Sequence, residues 1–204
     1  MNKVSRREFG YLLFGAGAVT AGYSLIGSLP STSANQKVLT PTPSSSLGPF
    51  YRSGSPRREK LLERAQSGTP LLVSGRVIDT AGKPLTSAVL EVFHADSSGN
   101  YDMSGFHCRG EIPIADNGEY QYETVMPAGY GGRAQHIHYR ISAPGRRGLI
   151  TQLFFETDPK FEGNPNRNYV KDSLIEHRDL IKPVTSTTRN GVSYRAVRFE
   201  ICLA

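Results

Sequence analysis

Cysteine is nearly absent from this 204-residue chain, which has only Cys108 and Cys202. They form no C-x-x-C pair, so thiolate metal sites and dithiol redox motifs are excluded. One disulfide is permitted in an oxidising compartment, and sequence does not say whether the two thiols meet. No run of Lys and Arg interleaves with aromatic residues, so nucleic acid is not an expected partner. There is no internal repeat and no linker that would divide the chain. Charge is also missing from 10–27, where Leu12, Leu13, Phe14, Val19, Leu25 and Ile26 make the segment apolar.

That apolar stretch follows Ser5-Arg6-Arg7-Glu8-Phe9, a basic opening with paired arginines, and precedes the small residues Thr32-Ser33-Ala34. Residues 1–34 therefore read as an export signal resembling the twin-arginine type, with a retained membrane anchor as the alternative. Gly15, Gly17 and Gly22 make it a weak permanent helix. The expected location is periplasmic or extracellular, with membrane contact only through the signal or anchor. Residues 35–47, rich in Ser, Thr and Pro, read as a flexible arm. A single domain over 48–204 is expected.

What is present suits strands and turns. Hydrophobic residues make up 38% and charged residues 21%, as in globular proteins, and there are 21 glycines and 13 prolines. The net charge of +6 is mild. It would favour carboxylated or phenolate substrates, and it is equally what an ordinary soluble surface carries. Short runs of strand formers are expected from Leu71 to Ile78, Ser87 to His94, Glu119 to Val125, His136 to Ile141, Leu149 to Phe155 and Ala196 to Cys202. The segments Asp79-Thr80-Ala81-Gly82 and Ser142-Ala143-Pro144-Gly145 are expected turns. A short helix is expected from Arg57 to Ala65, a polar loop at Asn164 to Asn168 and a helical turn within 170–182. The fold class is all-β, a two-sheet β-sandwich with few short helices and long loops.

Chemistry concentrates in Tyr130-Gly131-Gly132-Arg133-Ala134-Gln135-His136-Ile137-His138, with Gly99-Asn100-Tyr101 upstream. Histidines at i and i+2 of a strand share a face, which would leave Ile137 to the core. Two phenols beside two imidazoles suit ferric iron, a hard cation that holds tyrosine as phenolate despite its ordinary pKa near 10. Zinc would prefer His, Cys and carboxylate. No acidic residue accompanies the His pair as an Fe(II) two-histidine, one-carboxylate site requires.

Those residues, with Gly48-Pro49-Phe50-Tyr51, the stretch from Val89 to Tyr101, Thr124 to Tyr130 and Thr151-Gln152, resemble the intradiol ring-cleavage dioxygenases. The resemblance runs from about residue 48 to about 158, in the family's order. It implies one non-haem Fe(III) per chain, held by Tyr101, Tyr130, His136 and His138, with Tyr130 and His138 axial. It implies a catecholic substrate cleaved between its two hydroxyls by O2 to a cis,cis-muconate derivative. Tyr130 would also accept a substrate proton, Arg133 would place a fixed cation beside the ring, and Gln152 would be a supporting amide. His94, His107 and His177 fall off the ligand positions, and Tyr120 and Tyr122 read as core. Gly99 would supply the backbone angle that aims Tyr101 inward.

Three departures qualify the resemblance. Phe93 stands where the family often has tryptophan. Only Gly131 and Gly132 separate Tyr130 from Arg133, which implies a lower, more open pocket wall and admits substituted catechols. The helical N-terminal dimerisation region of the catechol-type enzymes is missing, leaving the oligomeric state open. The competing reading is a non-catalytic transthyretin-like β-sandwich serving as a binding or envelope module.

Overall fold

The computed structural model describes residues 38–61 and 67–204. The expected export signal lies outside the described residues. Strand β1, Pro70–Asp79, alternates half-buried and buried residues along its whole length, with Leu71, Val73 and Val77 facing inward. It pairs antiparallel with β4, Glu119–Val125, and parallel with β9, Val192–Arg198, and β10, Ile201–Leu203. Strand β8, Val184–Arg189, adds to β9. The second sheet runs β3, Arg109–Ile112; β2, Val89–Phe93; β5, His136–Ser142; β6, Leu149–Phe155; β7, Ile181–Lys182. Each sheet has five strands. Together they enclose a core that includes Leu90, Tyr122, Ile137, Tyr139, Leu153 and Phe199, the two-sheet sandwich that the strand spacing implies.

Tyr120 and Tyr122 are core as expected, alternating with more exposed neighbours along β4, and Thr124 is buried on the same face. Tyr122 and Tyr139 hydroxyls meet at 2.7 Å across the core, so each buried phenol finds a partner. The C-terminal strand, expected as one run, is two. Phe199 leaves the ladder, its carbonyl accepting from the Tyr120 hydroxyl at 2.6 Å. A Cβ on Gly75 would lie 1.9 Å from that same carbonyl, so the centre of β1 must be glycine.

Two further expectations change, and a third is met. The described part of the expected 57–65 helix is extended. Arg57 and Lys60 bridge to Glu111 and Glu123, and the amides of Arg58 and Leu61 donate to carbonyls of β3 and β4. With those donors used across the chain, a helix has no ladder to close. The 164–168 segment is a one-turn helix, α1, Pro165–Asn168, started by the Asn164 side chain and by Pro165. The expected helical turn beyond 170 appears as two 3₁₀ turns, Tyr169–Lys171 and Arg178–Leu180. Cys108 and Cys202 are both buried and are not joined to each other.

The arm is tied down where it is described. Amides of Leu39, Thr42 and Ser45 donate to carbonyls of Thr80, Cys202 and Ile150, and Thr151 Oγ1 donates to the Pro43 carbonyl. It carries no regular secondary structure, yet it runs along β6 and delivers 48–51 to the site.

Candidate metal centre

Strand β5 places His136 and His138 on one face and Ile137 and Tyr139 on the other. Register decides what surrounds them. Phe93 of β2 and Gln152 of β6 are the direct partners of His138, so all three share a row on the same face. Phe93 lies parallel to the His138 ring, with centroids 4.4 Å apart and planes 3° apart. Gln152 is thereby brought to the site by sheet register alone.

The two tyrosines come from loops. Asp96 closes the first, accepting from the amides of Ser98 and Asn100. Gly99 turns it at φ +86° beside the Gly129 carbonyl and the Tyr130 Cβ, which brings the two tyrosine segments together. Tyr101 Oη then lies 3.4 Å from Tyr130 Oη, 3.4 Å from His136 Nε2 and 3.1 Å from His138 Nε2. The two Nε2 atoms are 3.1 Å apart. Phe50 stacks on Tyr101 with centroids 4.2 Å apart and meets Tyr130 edge-on at 5.9 Å.

Electrostatics match the geometry. Burial lowers the His136 pKa to about 4, and the Ala134 carbonyl, accepting from Nδ1, opposes that shift. The same bond leaves the Nε2 lone pair turned toward the cluster. His138 is lowered well below the usual range, by burial first and then by His136. Burial raises Tyr101 far above an ordinary phenol, with Tyr130 adding to the shift. Two desolvated imidazoles that resist protonation and two phenol oxygens thus converge, a donor set that a hard trivalent cation would satisfy. Among the described residues no three His, Cys, Asp or Glu side chains group to hold a metal, so the phenols are essential to any such site.

Arg133 is fixed rather than loose. Its Nε donates to both carboxylate oxygens of Asp172, at 2.9 and 3.0 Å, and Nη2 donates to Gln152 Oε1 at 2.9 Å. Gln152 Nε2 donates to the Ser46 carbonyl of the arm. Asp172, buried, also accepts from the Ala134 and Leu174 amides, so one carboxylate holds both the guanidinium and the turn into β5. Sequence reading missed Asp172: it lies 39 positions from Arg133 in a segment with no periodic pattern. It also assigned no role at the site to Phe93 or Phe50.

The remaining histidines stay outside the cluster. His94 is buried between the Ala95 carbonyl and Thr124 Oγ1, each at 2.7 Å. A cavity of about 380 Å³ adjoins the turn, lined by Tyr130, Gly131, Gly132, Arg133, Asp158 and Lys160 among others. Gly131 and Gly132 have positive φ, and a Cβ on either would meet nothing within 4 Å.

A family model described as "Dioxygenase" matches residues 47–204. A chlorocatechol 1,2-dioxygenase of Rhodococcus opacus is 30% identical over 79% of this chain and 72% of its own length. The dioxygenase domain of a dioxygenase carbohydrate-binding fusion from Streptomyces sp. SirexAA-E superposes with a TM-score of 0.65 at 34% identity, over 80% of this chain and 98% of that one. Catechol 1,2-dioxygenase of Acinetobacter radioresistens gives 0.70 at 28% identity, over 81% and 63%. Across the curated relatives, the matches span from 48% to 72% of the relative's length.

Proposed function

This chain belongs to the intradiol-type ring-cleavage dioxygenases, and on that premise we propose that it is an Fe(III) enzyme opening a catechol between its two hydroxyls with O2. Tyr101, Tyr130, His136 and His138 would hold the iron. The observation that carries this reading is the convergence of their four donor atoms, without thiol or carboxylate, in a desolvated pocket. Fe(III) held by these four residues would supply Lewis-acid chemistry toward the two oxygens of a catechol. Both oxygen atoms enter the product, a cis,cis-muconate derivative, so no outside reductant is required.

The chain's own groups do the rest. Tyr130 is the donor able to move, because glycines flank it on both sides and the adjoining cavity offers room. Its Oη is placed to take a proton from a substrate hydroxyl. Tyr101 is held between Phe50 and Phe93 and stays as a fixed donor. Arg133, locked by Asp172 and Gln152, brings a fixed cation, and leaves Nη1 to favour negative character on the reacting ring. Phe50 and Phe93 exclude water from the donor atoms.

The test is anaerobic addition of catechol to the iron-loaded protein, then O2, with mass analysis of the product. A muconate carrying both atoms of ¹⁸O2 is expected. An unchanged catechol or a ring-opened semialdehyde overturns the proposal. We also propose that residues 1–34 direct export. Fractionation of cells expressing the full chain, beside an Arg6→Lys, Arg7→Lys variant, tests it, and cytoplasmic retention of the unaltered chain would refute it.

A further inference from the structure

Arg109 opens β3 and is 1% exposed, a guanidinium almost wholly out of water. Its Nε donates to the carbonyl of Asp102, the residue after Tyr101, at 3.0 Å, and Nη2 approaches Met103 Sδ at 3.7 Å. Nη1 is buried without a hydrogen-bond partner. Among the described residues no carboxylate forms an ion pair with it. The guanidinium carbon sits 5.2 Å from the centre of the Phe93 ring, which also lies parallel on His138 and tilted against Tyr51 and Tyr101.

This arrangement is costly. Removing a guanidinium from water is unfavourable by several kcal/mol unless charge or full hydrogen bonding compensates it. An apolar side chain would fill the same volume at lower cost. Three arginines converge on this loop in the same manner. Arg52 donates to the Gly105 carbonyl, and Arg58 to those of Phe106 and Arg109. Positive charge has been gathered under the segment that carries Tyr101; burial lowers the Arg109 pKa, and the charge of the neighbouring Asp102, followed by that of Tyr101, opposes the shift.

We infer that Arg109 is a positioning residue for the donor set, fixing Tyr101 through the Asp102 carbonyl and His138 through the ring of Phe93. One side chain thereby supports a phenol and an imidazole that come from different elements. A planar guanidinium can do both, since its edge donates while its face lies on the aromatic ring. Its charge is fixed at working pH and balances the negative charge that phenolate donors bring. The inference rests on the ferric reading above.

Arg109→Lys and Arg109→Met separate the parts. Lysine keeps a cation but has no planar face and no Nε–H at that place; methionine fills space without charge. Iron retention against a chelator should fall about 10- to 100-fold in both, as is usual when groups orienting metal ligands are removed. The visible phenolate-to-iron band of Arg109→Met should move to longer wavelength, because the phenolate electrons lose a stabilising cation. Should Arg109→Met fail to fold, Arg109→Lys decides by iron retention alone. Wild-type retention in Arg109→Lys, or an unshifted band in a folded Arg109→Met, overturns the inference while a coloured wild type leaves the ferric reading standing. A wild-type protein that takes up no iron overturns both.

Discussion

Asp172 receives both of its carboxylate contacts with Arg133 from a single nitrogen, Nε, and it does so while buried. That pairing, with the Ala134 amide on the same carboxylate, makes the Arg133 guanidinium part of the turn that starts β5. Asp172→Asn keeps the shape and loses the charge, so Arg133 should be released without unfolding the sandwich. Turnover of catechol should drop roughly 10- to 100-fold, the usual scale for a misplaced catalytic group. Steady-state kinetics beside iron content checks it: kcat falls while bound iron stays near wild type.

The two tyrosines should differ on removal. Tyr101→Phe takes away the donor packed between Phe50 and Phe93 and should abolish most iron uptake. Tyr130→Phe removes the donor on the glycine-flanked turn, so iron should still bind with a shifted band and lower turnover. Metal analysis and visible absorption of the two variants decide it, and equal behaviour would count against the assignment.

His94 adds to the pH dependence of the metal-free protein, in the same direction as His136 and His138. Burial lowers its pKa from 6.5 to about 4, so the folded protein holds it neutral where the unfolded chain binds a proton. The unfolded state is therefore favoured as pH falls from 6.5 toward 4, and stability present above that window is lost through it. The depression corresponds to on the order of 3 kcal/mol. Thermal unfolding of metal-free protein across this range should show the loss, and His94→Gln should flatten the slope.

Gly75→Ala tests the crossing of β1 by Phe199. The added methyl would lie 1.9 Å from the Phe199 carbonyl, a backbone atom that cannot swing away. A loss of about 1–3 kcal/mol or more is expected, read from chemical denaturation.

How much of this was legible before folding follows from what each feature depends on. His136 and His138 were readable as a same-face pair because strand period is local, and Gly99 because a tight turn demands a positive φ. The strand at Glu119–Val125 was readable for the same reason, and Leu149–Phe155 as a short run of strand formers after a turn. The segment after Arg57 was not, because its amides bond to Glu111 and Glu123 rather than to each other. The split of the last strand was also illegible, since Gly75 and Tyr120 impose it from elsewhere in the chain.

By itself the sequence determined the kinds of atoms available: two phenols, two imidazoles and a guanidinium on short, locally specified segments. Only tertiary structure decided that Phe93 and Gln152 flank His138, that Asp172 holds Arg133, and that the Arg109 guanidinium lies over the Phe93 ring. The reason is physical. Side-chain direction along a strand repeats within two residues, whereas cross-strand register and long-range ion pairs exist only once distant segments have packed.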